Sequence, residues 1–215
     1  MALKTILFDL DGTLTDSGEG IINCAYLALE HFGIPLPSRE EMRVFVGPPL
    51  HDTFVKFGVP KESAEEAVKI YRSRYIPIGM FENTPYPGVK DMLETLKNQG
   101  HRLLIATSKP EWMAVDILKH FALDGYFDSI CGASMDTSRS TKEDVIAYLL
   151  SLNGTADTMI MVGDTAFDVI GAAAHGIPTI GVSWGYGAVE DMQKAGAVAI
   201  AHNMQQLLQL INTTH

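Results

Sequence analysis

Apolar and polar positions follow two rhythms along this chain. Short apolar runs, "TILF" at 5–8, "RLLIATS" at 102–108, "DSIC" at 128–131, "TMIMVGD" at 158–164 and "IPTIGVSW" at 177–184, predict strands. Three of the last four are apolar on both faces, as a parallel strand covered by helices on each side should be. Between them apolar residues recur at helical spacing. In "GVKDMLETLKNQG" they are Val89, Met92, Leu93 and Leu96, and Gly100 is placed as a C-cap. "WMAVDILKHF", "KEDVIAYLLSL", "DVIGAAAHG" and "MQQLLQLI" read the same way. Strand and helix alternate from about residue 86 onward, which predicts an open parallel α/β sheet.

Residues 18–82 break that alternation. "EGIINCAYLALEHFG", "REEMRVFV", "PLHDTFVKFG" and "KESAEEAVKIYRSRYI" all run at helical period, with Gly and Pro between them. An all-helical insert directly after the first strand reads as a cap domain over residues 17–83, with a core formed by 1–16 and 84–215. Gly79, Pro85, Pro87 and Gly88 mark turning backbone at the second junction.

Composition narrows the partners. A net charge of −10 argues against a nucleic-acid polymer, because phosphate-backbone binders carry a basic face. No run approaches the roughly 18 apolar residues of a membrane helix, and Lys4 is followed by too short an apolar stretch for a secretory signal. A cytoplasmic protein is expected, with Cys24 and Cys131 as small buried hydrophobes; monomer and weak homodimer both stay open. His51, His101, His120, His175 and His202 show no ligand spacing.

The candidate chemistry lies at strand ends, where ligands bind in open α/β sheets. The first strand ends at Asp9 and Asp11, the second run at Thr107, Ser108 and Lys109, and the fourth at "GDTAFD" with Asp164 and Asp168. Lys142 opens the helix before that fourth strand. Four carboxylates brought into one crevice would repel one another unless a divalent cation joined them, and Mg²⁺ suits an all-oxygen donor set.

"DLDGT" at 9–13, "ATS" at 106–108, Lys142 and "GDTAFD" at 163–168, in that order, resemble the haloacid dehalogenase superfamily across essentially the whole chain. The resemblance implies a Rossmann-like core, a helical cap of the C1 type, Mg²⁺, and phosphoryl transfer through an aspartyl phosphate. Carried onto these residues, it makes Asp9 the nucleophile and Asp11 the proton donor and then acceptor. The metal site would comprise Asp9, Asp164 and the Asp11 carbonyl, and Asp168 would hold a metal-bound water or orient Lys142. Thr107 and the Ser108 amide would bind the phosphoryl oxygens, with Lys142 neutralising their charge. An acid at Asp11 points away from dehalogenation.

Finer resemblance, in "DGTLTDSGEGI" at 11–21, "FVGPPL" at 45–50, "GMFENTPYPGV" at 79–89 and "ATSKP" at 106–110, is to the phosphoglycolate-phosphatase-like group, and within it "FVGPPL", "MFEN" and "MDTSRSTKEDVI" are most similar to a 5′-nucleotidase branch. A small phosphorylated metabolite is the expected substrate. Phosphoglycolate or another phosphomonoester, a sugar-phosphate mutase and a non-catalytic phosphate-responsive binder are the alternatives. Arg43, Gly47 and Glu19 from the insert, with Ser108 and Lys109 from the core, are the candidate substrate contacts. For Arg43 a solvated helix position, for Gly47 an interhelical turn, and for Glu19 a favourable helix-dipole placement explain each residue equally well.

Overall fold

Val, Ile, Leu and Met dominate the predicted strands, and burial on both faces is what such composition requires. The computed structural model describes residues 3–136, 138–156 and 158–214. Thr137, in the "MDTSRSTKEDVI" stretch, lies outside them. In chain order the elements are β1 (Thr5–Phe8), β2 (Thr15–Asp16), α1 (Gly18–His31), α2 (Leu50–Lys56), α3 (Ala64–Tyr75), β3 (Thr84–Pro85), α4 (Val89–Asn98) and β4 (Arg102–Pro110). They continue as α5 (Glu111–His120), β5 (Ser129–Ala133), α6 (Lys142–Asn153), β6 (Met159–Gly163), α7 (Ala166–Ala173), β7 (Thr179–Val182), α8 (Val189–Ala195), β8 (Ala199–Ala201) and α9 (Met204–Thr213).

Two compact units result: Met1–Thr15 with Pro85–His215, and Asp16–Thr84. The first holds a six-stranded sheet in the order β5-β4-β1-β6-β7-β8, parallel throughout. Counted along the chain without the short β2–β3 pair, that is the 3-2-1-4-5-6 order of doubly wound nucleotide-binding folds. β1 is the switch point. Its Leu7 pairs with Leu104 on one side and Met161 on the other. All three join a buried cluster with Val145, Ile146 and Leu149 of α6 and Ala172 of α7. Ile6 and Phe8, alternating with Leu7, face the opposite side of the sheet and are fully buried. α4, whose buried residues are the expected Val89, Met92, Leu93 and Leu96, packs with β4 and α9.

The strand β8 and the helix α8 were not among the sequence expectations. β8 is three residues long and only partly buried, and α8 buries only Met192, so neither shows a readable period. The second unit is helical as expected, with one difference. "REEMRVFV" forms a 3₁₀ turn, Glu41–Phe45, in place of an α-helix. It ends at Val46, which turns extended just before Gly47-Pro48-Pro49, where prolines cannot continue the hydrogen-bonding pattern. The core of this unit is aromatic: Phe45 meets Phe54 and Phe57, Phe54 meets Tyr71, and Tyr71 stacks on Tyr75.

Candidate active site

The first unit brings most of the predicted chemical residues together beyond the carboxyl ends of β1, β4 and β6. β1 gains one more ladder bond past its last residue, the Asp9 N–H donating to Val162 O at 2.9 Å, so the Asp9 side chain leaves the sheet at a fixed point. The chain then turns sharply: the amides of Thr13, Leu14 and Thr15 all donate to Leu10 O. Gly12 takes φ +80° in this turn, and a Cβ there would lie 2.2 Å from Asp164 Oδ2. Glycine is required on both counts.

Lys142 is placed by a capping box between Thr141 and Asp144 that fixes the start of α6. Its buried Nζ lies 2.9 Å from Asp9 Oδ1 and 2.7 Å from Asp168 Oδ1. It also donates to Ala106 O at 2.8 Å. All three ammonium hydrogens thus have partners, as a buried lysine needs. Asp168, fully buried, accepts from Thr165 N and Thr165 Oγ1 through its other oxygen. Asp164 accepts from Thr13 Oγ1 at 3.1 Å and from Tyr186 N at 2.8 Å.

One oxygen each from Asp9, Asp164 and Asp168 lies within 4.8 Å of the others. Three ionised carboxylates beside one ammonium would leave two negative charges buried together. The proton affinities show the strain. Burial pushes Asp9 up to about 6, with the Asp168 charge adding to it while Lys142 and the Thr107 hydroxyl draw it down. Burial raises Asp164 further, to about 8, with Asp168 and Asp9 contributing. Lys142 is held above the usual lysine range by Asp168 and Asp9 against its own burial. A hard divalent cation bound by carboxylate oxygens fits this donor set and this charge deficit. Both Asp168 oxygens are already engaged, so Asp9 and Asp164 are the better placed donors.

Thr107 is buried at the end of β4, and Ser108 is partly exposed beside it. Lys109 Nζ contacts Asp11 Oδ2 at 2.7 Å. Glu19, Arg43 and Gly47 belong to the second unit. Glu19 is exposed in the first turn of α1, Arg43 Nε lies 3.8 Å from Glu40 Oε1, and Gly47 is exposed with φ +106°. β7 ends at Val182, so Ser183 and Trp184 lie past the strand expected to include them, and residues 183–187, "SWGYG", were not among the expected site residues. They supply the Tyr186 amide to Asp164, a Trp184 Nε1 bond to Thr13 O at 3.1 Å, and Gly185 packed where a Cβ would meet Asp164 at 2.3 Å. The signal that could have found them is another strand end rich in glycine.

The profile of the haloacid dehalogenase-like hydrolases matches residues 6–182. The chain belongs to that family. This hydrolase is an enzyme of the phosphatase kind within it. It is 44% identical over 200 residues to the tyrosine-protein kinase PtkA of Mycobacterium tuberculosis, covering 93% of this chain and 68% of that protein. It is 41% identical over 190 residues to a 5′-nucleotidase of Pseudomonas aeruginosa, covering 87% and 86%. Its fold superposes on the crystal structure of a predicted phosphatase from Clostridium acetobutylicum with TM-score 0.92 and 43% identity, over 99% of each chain.

Proposed function

We propose that this hydrolase is a Mg²⁺-dependent phosphomonoesterase of the cytoplasm that acts on small phosphorylated metabolites, nucleoside 5′-monophosphates first among them. The observation that carries the reading is the buried Asp9–Asp164–Asp168 cluster threaded by Lys142 at the switch point of the sheet. The 5′-nucleotidase relative supports the substrate class.

Lys142 fixes Asp9 through Oδ1, which leaves Oδ2 as the attacking atom. As the Asp9–phosphorus bond forms and the bond to the leaving oxygen breaks, the Asp11 carboxyl gives that oxygen its proton. The Asp11 carboxylate then takes a proton from water; the water oxygen attacks phosphorus, and Asp9 is freed with release of phosphate. Thr107 and the Ser108 amide hold the phosphoryl oxygens through both steps. Mg²⁺, held by Asp9, Asp164 and the Asp11 carbonyl, would reduce the repulsion between the carboxylate and the phosphate dianion. Residues 17–83 would serve as the cap, with Glu19, Arg43 and Gly47 as its candidate substrate contacts and Ser108 as that of the core.

The test is phosphate release from a panel of nucleoside monophosphates, phosphoglycolate and sugar phosphates, with Mg²⁺ and with EDTA. The nucleotides should show the highest kcat/KM, and Asp9→Asn should abolish turnover in a folded protein. Preference for phosphoglycolate selects that alternative, an isomerised sugar phosphate a mutase, and metal-dependent binding without release a binder. The PtkA relative favours a second reading, in which a tyrosine hydroxyl replaces water as the phosphoryl acceptor. Labelled peptide from radiolabelled ATP and a tyrosine peptide would establish it.

A further inference from the structure

The end of β4 is built to hold one lysine in one place. Ala106 pairs with Cys131 and Pro110 with Ala133, so four steps along β4 face two along β5. The bulge lifts residues 107–109 out of the ladder and re-aims their side chains. Gly132 lies opposite, where a Cβ would come 2.5 Å from Lys109 O and 2.7 Å from Glu111 Cα, so the lysine backbone sits directly on the strand. Glu111 reinforces the seat by accepting from Gly132 N at 3.2 Å and Arg139 Nη2 at 3.0 Å.

From this seat Lys109 reaches Asp11. Its side chain is only 5% exposed, that of Asp11 15%, and the ion pair measures 2.7 Å. Burying an ammonium is expensive, so a lysine held this way is not a surface ornament. The carboxylate it grips is asymmetric: Oδ2 is paired, whereas Oδ1 is buried with no hydrogen-bond partner among the described residues. A group that must exchange a proton twice in one cycle needs one oxygen anchored and one available.

We propose that Lys109 is a positioning residue for Asp11, donating to Oδ2 in both protonation states so that Oδ1 carries the proton, gives it to the leaving oxygen and then takes one from the attacking water. The proposal rests on the phosphatase reading above, in which Asp11 moves the proton. It gives Lys109 an effect on both chemical steps in place of the direct substrate contact expected from the sequence.

The test compares Lys109→Met, Lys109→Arg and Asp11→Asn on p-nitrophenyl phosphate and on an alkyl phosphate, with saturating Mg²⁺. p-Nitrophenolate departs without a proton, whereas an alkoxide needs one. Lys109→Met should therefore show a stoichiometric burst of p-nitrophenolate followed by slow turnover. On the alkyl ester it should show no burst, a kcat lower by about 100-fold, and a KM little changed. Lys109→Arg should recover most of the rate. Should Lys109→Met not fold, Lys109→Gln is read the same way. A raised KM with kcat kept overturns the proposal in favour of substrate binding; equal kcat losses on both esters without a burst overturn it in favour of a structural role. Full turnover by Asp11→Asn on both esters would instead sink the acid–base reading on which the proposal rests.

Discussion

Replacing Lys142 with methionine removes the one cation among Asp9, Asp164 and Asp168 while roughly preserving side-chain volume. Two ion pairs, at 2.9 and 2.7 Å, and a bond to Ala106 O are lost together. Breaking a buried pair and stranding its partner costs about 3–5 kcal/mol. The loss should depend on pH, and its sign follows from the acids. Asp9 lies at about 6 even with Lys142 drawing it down, and without the lysine it moves higher. A carboxyl whose folded pKa exceeds its unfolded value forfeits stability as pH rises from the unfolded value through the folded one. The metal-free variant should therefore lose the full 3–5 kcal/mol at pH 8, a Tm drop of about 6–20 °C, and markedly less at pH 5, where protons replace the missing cation. Urea titration in EDTA reads this cleanly, because Trp112 and Trp184, the only two tryptophans, both lie in the sheet-bearing unit. A loss below about 1 kcal/mol at pH 8, or the same loss at both pH values, would show that Lys142 does not balance the charge of these acids.

Other consequences can be checked alongside it. Gly12→Ala forces an L-residue to φ +80° and a methyl to within 2.2 Å of Asp164 Oδ2; calorimetric titration should show Mg²⁺ affinity reduced by about tenfold or more. In the helical unit, Arg74 meets Glu82 through two bonds of 2.7 Å, and Arg74→Met should cost that unit about 1–2 kcal/mol in thermal melts followed by circular dichroism, allowing for partial exposure. Burial depresses the His101 pKa, and its Nδ1 accepts from Lys4 N. The histidine's contribution is complete above its unfolded value and lost as pH falls through the folded one, so the stability difference between the parent protein and His101→Gln, read by urea titration, should shrink from pH 7 to 5.5.

The sheet was legible because its central strands are buried on both faces and their apolar runs end abruptly at charged residues. The helices were legible where an apolar stripe meets a core, as at Val89, Met92, Leu93 and Leu96. Legibility failed where burial is slight, at β8 and α8. It also failed where the backbone does the work. The Tyr186 amide on Asp164 and the close approach of Gly185 depend on main-chain position, which no side-chain pattern announces. The acids and Lys142 could be read from their order in the chain, but their pairings could not. That Lys142 binds Asp9 and Asp168 together, and that Lys109 reaches Asp11, depends on α6 and the β4 bulge meeting β1 in space.

Covalent transfer of the phosphoryl group to Asp9 is the step on which the mechanism depends. Mixing the Asp11→Asn protein with p-nitrophenyl phosphate and Mg²⁺, quenching in acid and reducing with borohydride would convert a phosphorylated aspartate to homoserine, which peptide mass spectrometry locates. Homoserine at position 9, in proportion to the p-nitrophenolate released, is the predicted result. Release of p-nitrophenolate with Asp9 unmodified, or modification at another residue, would contradict it.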